Sequence, residues 1–257
     1  MSDNKTNSGQ TDFGFKRINR EEKENLVKGI FSNVAKKYDL MNDLMSGGIH
    51  RIWKNKMVDE INFDSRDVLK FIDVAGGTGD IAFRITKKAC QKNISHKIEV
   101  VDINQDMLDC GKNRAIDLNL FSHLNFTCAD GEKLPFEDNS FDFFTIAFGI
   151  RNFTNIDAGL SEAYRVLKPN GKFICLEFSK VNNYFLQKLY DNYSFNIIPR
   201  IGEIILNDRK SYQYLVESIR KFPSQESFRS MIEQAGFKKS SCQNLSFGAA
   251  AIHTGIK

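Results

Sequence analysis

Phe71-Ile-Asp-Val-Ala-Gly-Gly-Thr-Gly-Asp80 decides the fold: an apolar run ends in a carboxylate, turns on glycines and restarts with a second carboxylate. A glycine turn between an apolar strand and a helix lets a ligand approach the backbone, and the first strand of a nucleotide-binding α/β sheet commonly ends this way. The same residues satisfy the permissive dinucleotide pattern, as Gly77-x-Gly79-x-x-Ala82. The carboxylates argue against that ligand. A pyrophosphate at a helix N-terminus depends on free N–H groups and the positive end of the dipole, and Asp73 and Asp80 would repel it. They would instead attract a cation, such as the sulfonium and ammonium of S-adenosylmethionine. For Asp80 the simpler role is a charge that complements the helix dipole.

Outward from this stretch, Ile81 to Cys90 reads as a helix and Lys97 to Ile103 as a strand, completing a β-α-β unit. A helix from Met107 to Leu118, a strand from Leu124 to Cys128, an apolar strand from Phe141 to Phe148 and a helix from Ile156 to Leu167 follow. Pro169-Asn170-Gly171 is a turn signal before a strand over Lys172 to Phe178. The alternation predicts an α/β, Rossmann-like, doubly wound sheet. It is mostly parallel, with Phe237–Asn244 and Leu245–Thr254 as a C-terminal antiparallel hairpin. Residues 179–236 read as a largely helical, substrate-side insertion, and Glu21–Tyr38 and Asn42–Asp59 as two lid helices with Ser46-Gly47-Gly48 as a hinge. Residues 1–20 read as a disordered polar tail, and residues 21–257 as a single domain.

Bulk properties narrow the partners. The 257 residues, 41% hydrophobic and 26% charged, suffice for one substantial core. A net charge of +4 is too modest to imply nucleic-acid binding and is compatible with weak attraction to an anionic membrane surface. Cys90, Cys110, Cys128, Cys175 and Cys242 form no C-x-x-C pair, so they read as free thiols of a reducing compartment with no metal site. No apolar run approaches the roughly 20 residues that cross a bilayer. Together with the absence of a targeting pattern, this predicts a cytoplasmic protein with at most peripheral contact at the inner membrane face.

Ligands of open parallel sheets bind beyond the carboxyl ends of the strands, where Asp73, Asp102 and Asp130 fall. Asp102 is placed to accept two ribose hydroxyls, and Asp130-Gly131 either to accept from the adenine amino group or to make an ordinary turn. Thr145 to Phe153 ends the fourth strand on the side of the transferable methyl group, and Arg151 is its chemically notable residue. No Asn/Asp-Pro-Pro-Tyr/Phe element of nucleic-acid amino methylation occurs. Cys128 follows Thr127 but lies on the adenosine side, which speaks against a cytosine-methylating nucleophile.

Nearly the whole chain, from Phe13-Gly-Phe15 onward, resembles the UbiE-type ubiquinone/menaquinone biosynthesis C-methyltransferases. The resemblance is carried by Lys37-Tyr-Asp-Leu-Met-Asn-Asp-Leu-Met45, Gly48-Ile-His-Arg-Ile-Trp53, Asp73–Asp80, Phe148-Gly-Ile-Arg-Asn152, Leu176-Glu-Phe-Ser179 and Ile198-Pro-Arg-Ile-Gly202. It implies S-adenosylmethionine-dependent methylation of a ring carbon on a polyprenylated benzoquinol or naphthoquinol, by a homodimer or a member of a quinone-biosynthesis complex. The donor site is then expected over Asp73, Gly76, Gly77, Thr78, Gly79, Asp102, Ile103, Asp130, Gly131 and Ala147. Two departures stand out: relatives often carry Asn-Ala or Asp-Ala at Asp130-Gly131, and a serine at Ala147, where an alanine supplies no hydroxyl.

The chemistry asks for an activated ring. Ionising a quinol hydroxyl of ordinary acidity at pH 7 costs about 4 kcal/mol, and a guanidinium can offset part of this by stabilising the oxyanion. Arg151, with Asn152, is expected to take that role directly or through a water, the proton going to water, Asp39, Tyr38 or His50. Aromatic residues between Tyr184 and Leu206 are expected to line a path for the prenyl tail. The competing readings are methylation of another phenolic or lipid molecule, a nicotinamide oxidoreductase, and a cofactor-binding scaffold without turnover.

Overall fold

The computed structural model describes residues 10–34, 43, 46–64, 67–181 and 209–257. Strand β3 (Leu69–Val74) is an interior strand of a seven-stranded sheet, with β4 (His96–Asp102) and β5 (Leu124–Cys128) on one side. On the other side lie β6 (Phe141–Ala147), β7 (Leu167–Phe178), β9 (Ala250–Ile256) and β8 (Lys238–Leu245), in that order. Strands β3 to β7 pair in parallel, and β9 runs antiparallel to both β7 and β8. The chain leaves β3 toward β4 and β5 and later returns to its other flank as β6, so the strand order reverses at β3. That reversal opens a crevice at the carboxyl ends of the central strands.

Alternation along β3 sends Phe71 to one face and Ile72 and Val74 to the other. The first face is covered by α2 (His50–Asp59), α3 (Asp80–Gln91), α4 (Gln105–Asp117) and α6 (Arg209–Lys221), through residues such as Met57, Ile85, Leu108 and Leu215. The second is covered by α5 (Ile156–Val166) and α7 (Gln225–Gln234), through Leu160, Ala163, Phe228 and Ile232. Because β3 and β6 are covered on both faces, each carries adjacent apolar residues, Phe71-Ile72 and Phe143-Phe144, rather than a strict alternation.

Three expectations are corrected. The supposed disordered tail is structured from Gln10: β1 (Gln10–Phe13) and β2 (Lys16–Asn19) form a hairpin leading into α1 (Arg20–Val34). Distant partners hold it. Phe13 stacks on Tyr214 with centroids 4.3 Å apart, Thr11 donates to the Thr154 carbonyl, and Glu217 accepts the Phe15 N–H. The second lid helix is interrupted: Asp43 and Ser46 are helical, Gly47 and Gly48 adopt positive φ (60° and 81°) and break the path, and α2 begins at His50. Strand β7 begins at Leu167 rather than Lys172: the expected turn is absorbed as an irregularity, with Asn170 left-handed and the register to β6 shifting between Phe141 and Phe143. The expected prenyl-tail path and the lid residues Tyr38 and Asp39 lie outside the described residues.

Candidate active site

A single cleft at the carboxyl ends of β3, β4 and β6 brings together every expected donor-binding residue except Gly79. Gly79 shapes the cleft instead: at φ 81° it caps α3, and its N–H closes the turn on the Gly76 carbonyl at 2.9 Å. Two non-glycine residues on the cleft wall, Ala75 and Phe148, are also left-handed (φ 51° and 57°). Both follow a central strand, so the strand ends turn sharply away from the crevice at a local conformational cost.

Asp73 is 1% exposed, and its Oδ1 accepts from Thr145 across the β3–β6 pair at 2.7 Å. Its Oδ2 is buried with no partner. Burial pushes the Asp73 carboxyl up to about 7, against the Thr145 hydrogen bond that favours the ionised form. A carboxylate held this way gains by meeting a cationic ligand. Asp102 accepts the Gly77 N–H through Oδ2 and the Asn104 N–H through Oδ1, both at 2.9 Å, and burial pushes it up to about 6. Each carboxylate oxygen keeps a further lone pair for ligand hydroxyls. Gly76 has to be glycine, since a Cβ there would stand 2.7 Å from Val100 and 2.9 Å from the Asp73 carbonyl. An orphaned buried carboxylate, a ribose-type acceptor and a backbone cradle together fit S-adenosylmethionine.

Other residues sit differently from expectation. Asp80 is no free counter-charge: it pairs with Lys54 at 2.7 Å and Arg84 at 3.1 Å. Burial would raise its carboxyl, but those two cations hold it below the ordinary value. Thr78 is buried on the cleft wall, its Oγ1 accepting from Arg114 at 2.8 Å. Asp130 accepts the Glu132 N–H as a turn residue does, while Gly131 admits the Phe153 ring, which would lie 2.6 Å from a Cβ. Ala147 lines the cleft at the end of β6.

Of the catalytic candidates, Asn152 lines the cleft, and Tyr214 donates to its Oδ1 at 3.0 Å. Arg151 does not face the cleft as an unpaired cation. It is buried against Glu177 at 2.7 Å, donates to the Phe148 carbonyl and lies over the Phe178 ring, leaving its Nε without a partner. The physical reason is charge balance: a guanidinium at 7% exposure needs a carboxylate, which β7 supplies. His50 likewise lies off the cleft, with Nε2 on Asp43 at 2.8 Å, and burial lowers its pKa despite that acid.

Sequence reasoning missed Lys54, Lys23, Tyr214 and Glu177. Lys54 is buried on the cleft wall and links α2 to α3 through Asp80. Lys23 of α1 is buried and donates to the Phe153 carbonyl at 2.6 Å, its ammonium lowered by burial to about 8. Glu177 alone carried a signal, as an acid inside an apolar strand. Among the described residues, the one His/Cys/acid group close enough to share an ion, Cys90–His96–His123, lies outside this cleft.

Sheet order and cleft together define a class I S-adenosylmethionine-dependent methyltransferase. The solved structure of such a methyltransferase from Aquifex aeolicus superposes with a TM-score of 0.58 at 16% identity, covering 88% of this chain and 97% of that one. Residues 19–257 match the ubiE/COQ5 methyltransferase family, and the chain belongs to it. It is 55% identical over 249 residues to the ubiquinone/menaquinone biosynthesis C-methyltransferase UbiE of Rickettsia bellii, covering 96% of this chain and 99% of the relative. The Brucella suis protein of the same name is 55% identical over 245 residues, covering 95% and 90%.

Proposed function

We propose that this methyltransferase carries out C-methylation of a polyprenylated quinol ring in ubiquinone or menaquinone biosynthesis. The observation that carries the reading is the 55% identity along 96% of the chain to relatives named for that reaction. Bound S-adenosylmethionine would supply a methyl group activated by its sulfonium. Asp73 would hold the donor's cationic end, Asp102 its ribose, and Gly76 and Gly77 would let it approach the backbone.

The remaining demand is an electron-rich ring, worth about 4 kcal/mol if the hydroxyl is fully ionised at pH 7. Asn152, aimed by Tyr214, is proposed to orient the quinol oxygen. Arg151 supports it in two ways: through Phe148 it fixes the strand-end turn, and its unpartnered Nε–H is a donor left for an oxygen or a bridging water. Placement of the ring beside the donor supplies the larger share, about 7 to 11 kcal/mol relative to free reactants.

A membrane-dissolved tail makes peripheral contact the natural working position. Exposed Ile49 and Ile52, three apart at the start of α2, support it. Among the described residues no helix is long and apolar enough to cross a membrane.

Incubating the protein with the methyl donor and a demethylated prenyl quinol tests the reading. A product heavier by one methyl group, on carbon by NMR, is expected. Donor binding without turnover on benzoquinol and naphthoquinol alike would overturn it. An Arg151→Gln variant that binds donor normally should turn over at least tenfold more slowly, and unchanged turnover would remove Arg151 from the mechanism.

A further inference from the structure

Across the sheet from the donor cleft, three side chains distant in sequence converge. Cys90 closes the last turn of α3, His96 opens β4, and His123 sits in the three-ten turn that precedes β5. Their ligand atoms all lie within 4.8 Å of one another. His96 and His123 lie at the starts of β4 and β5, whose opposite ends form the cleft, so the cluster is a strand length away from the methyl-transfer chemistry.

His96 is the informative member. It is 3% exposed, and its Nδ1 contacts the Ile94 carbonyl at 2.9 Å. A carbonyl only accepts, so Nδ1 carries the proton and Nε2 presents a bare lone pair. That Nε2 is buried with no partner. An orphaned acceptor of this kind normally costs stability. Fixing one imidazole nitrogen on a backbone carbonyl so that the other stays free is also how metal-binding histidines are prepared. Lys97 directs its ammonium to the Ser122 carbonyl at 2.8 Å.

We propose that Cys90, His96 and His123 form a binding site for a thiolate- and imidazole-seeking transition-metal ion of the Zn2+ type. Two imidazoles and one thiolate are a ligand set this class of ion favours over hard, oxygen-seeking cations such as Mg2+. Cys90 is exposed, so an ion has an entry path from solvent. On binding, the Cys90 thiol proton is released to water as the sulfur–metal bond forms. The two rings now lie parallel, 4.4 Å between centroids and 6° apart, so their lone pairs do not yet converge. His96 is held by Ile94, so His123, half-buried on its short turn, is the ring that rotates to complete the site. The ion would tie the end of α3 and the turn before β5 to the edge of the sheet, acting on stability rather than on turnover.

The test uses the full chain, reduced and freed of metal, titrated with Co2+ as a spectroscopic probe and with Zn2+. One equivalent of Co2+ should bind with a thiolate-to-metal charge-transfer band. Cys90→Ser should abolish that band, and His123→Gln should weaken binding at least about tenfold. Zn2+ should raise the midpoint of thermal unfolding in the native chain and not in either variant, since a ligand of the folded state stabilises it by mass action. Unchanged affinity for S-adenosylmethionine in both variants would show that the fold is intact. Absence of stoichiometric binding, or a charge-transfer band surviving in Cys90→Ser, would overturn the proposal. So would His123→Gln binding at native affinity, because the ion would then sit on other cysteines or on His50 or His253.

Discussion

Replacing Glu177 by Gln removes the carboxylate that pairs with the Arg151 guanidinium, in a place where the arginine and glutamate side chains are 2% and 0% exposed. At the 2.7 Å contact, an effective dielectric of about 20 gives a gross attraction of roughly 6 kcal/mol. Burial nonetheless raises the Glu177 pKa, against the pull of Arg151 and of the backbone N–H groups of Phe178 and Arg151, so desolvation outweighs that attraction. The pair as a whole is therefore no stabiliser, while either half alone is a stranded polar group. Breaking it this way costs about 3 to 5 kcal/mol. For a chain of this size, that lowers the midpoint of thermal unfolding by roughly 6 to 20 °C. The paired replacement Arg151→Met with Glu177→Leu should recover most of the loss, because no buried charge remains. Urea denaturation of the two singles and the double, read as a thermodynamic cycle, measures the coupling. A cost below about 1 kcal/mol for Glu177→Gln, or additivity in the cycle, would refute the reasoning. If Arg151 also serves the chemistry, the double variant should be stable and slow.

Asp73 yields a pH prediction. Its folded pKa of about 7 lies above an unfolded value near 3.9. The folded form therefore holds a proton that the unfolded form has lost between those values, and stability falls as pH rises through that window, by about 4 kcal/mol. Asp102, raised to about 6, adds in the same direction. Asp73→Asn should flatten the stability profile seen in urea titrations and weaken S-adenosylmethionine binding at least tenfold by calorimetry; a profile that keeps its slope would contradict the assignment. Gly149→Ala places a Cβ 2.4 Å from that of Ala75, forcing apart the ends of β3 and β6. Overpacking of this kind costs about 1 to 3 kcal/mol, and an unshifted denaturation midpoint would count against the close approach. Tyr214→Phe deletes the donor on Asn152, at about 0.5 to 1.5 kcal/mol of stability. Turnover on the quinol should fall while donor affinity holds, and equal loss of both would show a general structural defect.

The parallel core was readable because buried strands announce themselves as apolar runs: Phe141–Ala147 and Leu124–Cys128 coincide with their elements almost to the residue. The cleft was readable because strand ends are fixed points, so Asp73 and Asp102 could be placed on its wall without coordinates. What escaped depended on distant partners. Strands β1 and β2 are four residues each and mostly polar, and their stability comes from Tyr214, Thr154 and Glu217, which lie far along the chain. Arg151 was singled out correctly as unusual, but its balance by Glu177 arises only when β6 and β7 pair. Cys90, His96 and His123 have no motif spacing because three separate elements bring them together.

The stack of Phe13 on Tyr214 has a practical corollary. Tyr214 touches the amino-terminal ribbon with its ring and Asn152, on the cleft wall, with its hydroxyl. Removing the front of the polypeptide therefore takes away the ring that Tyr214 stacks on, so a preparation shortened past Phe13 leaves the side chain that holds Asn152 with one face uncovered.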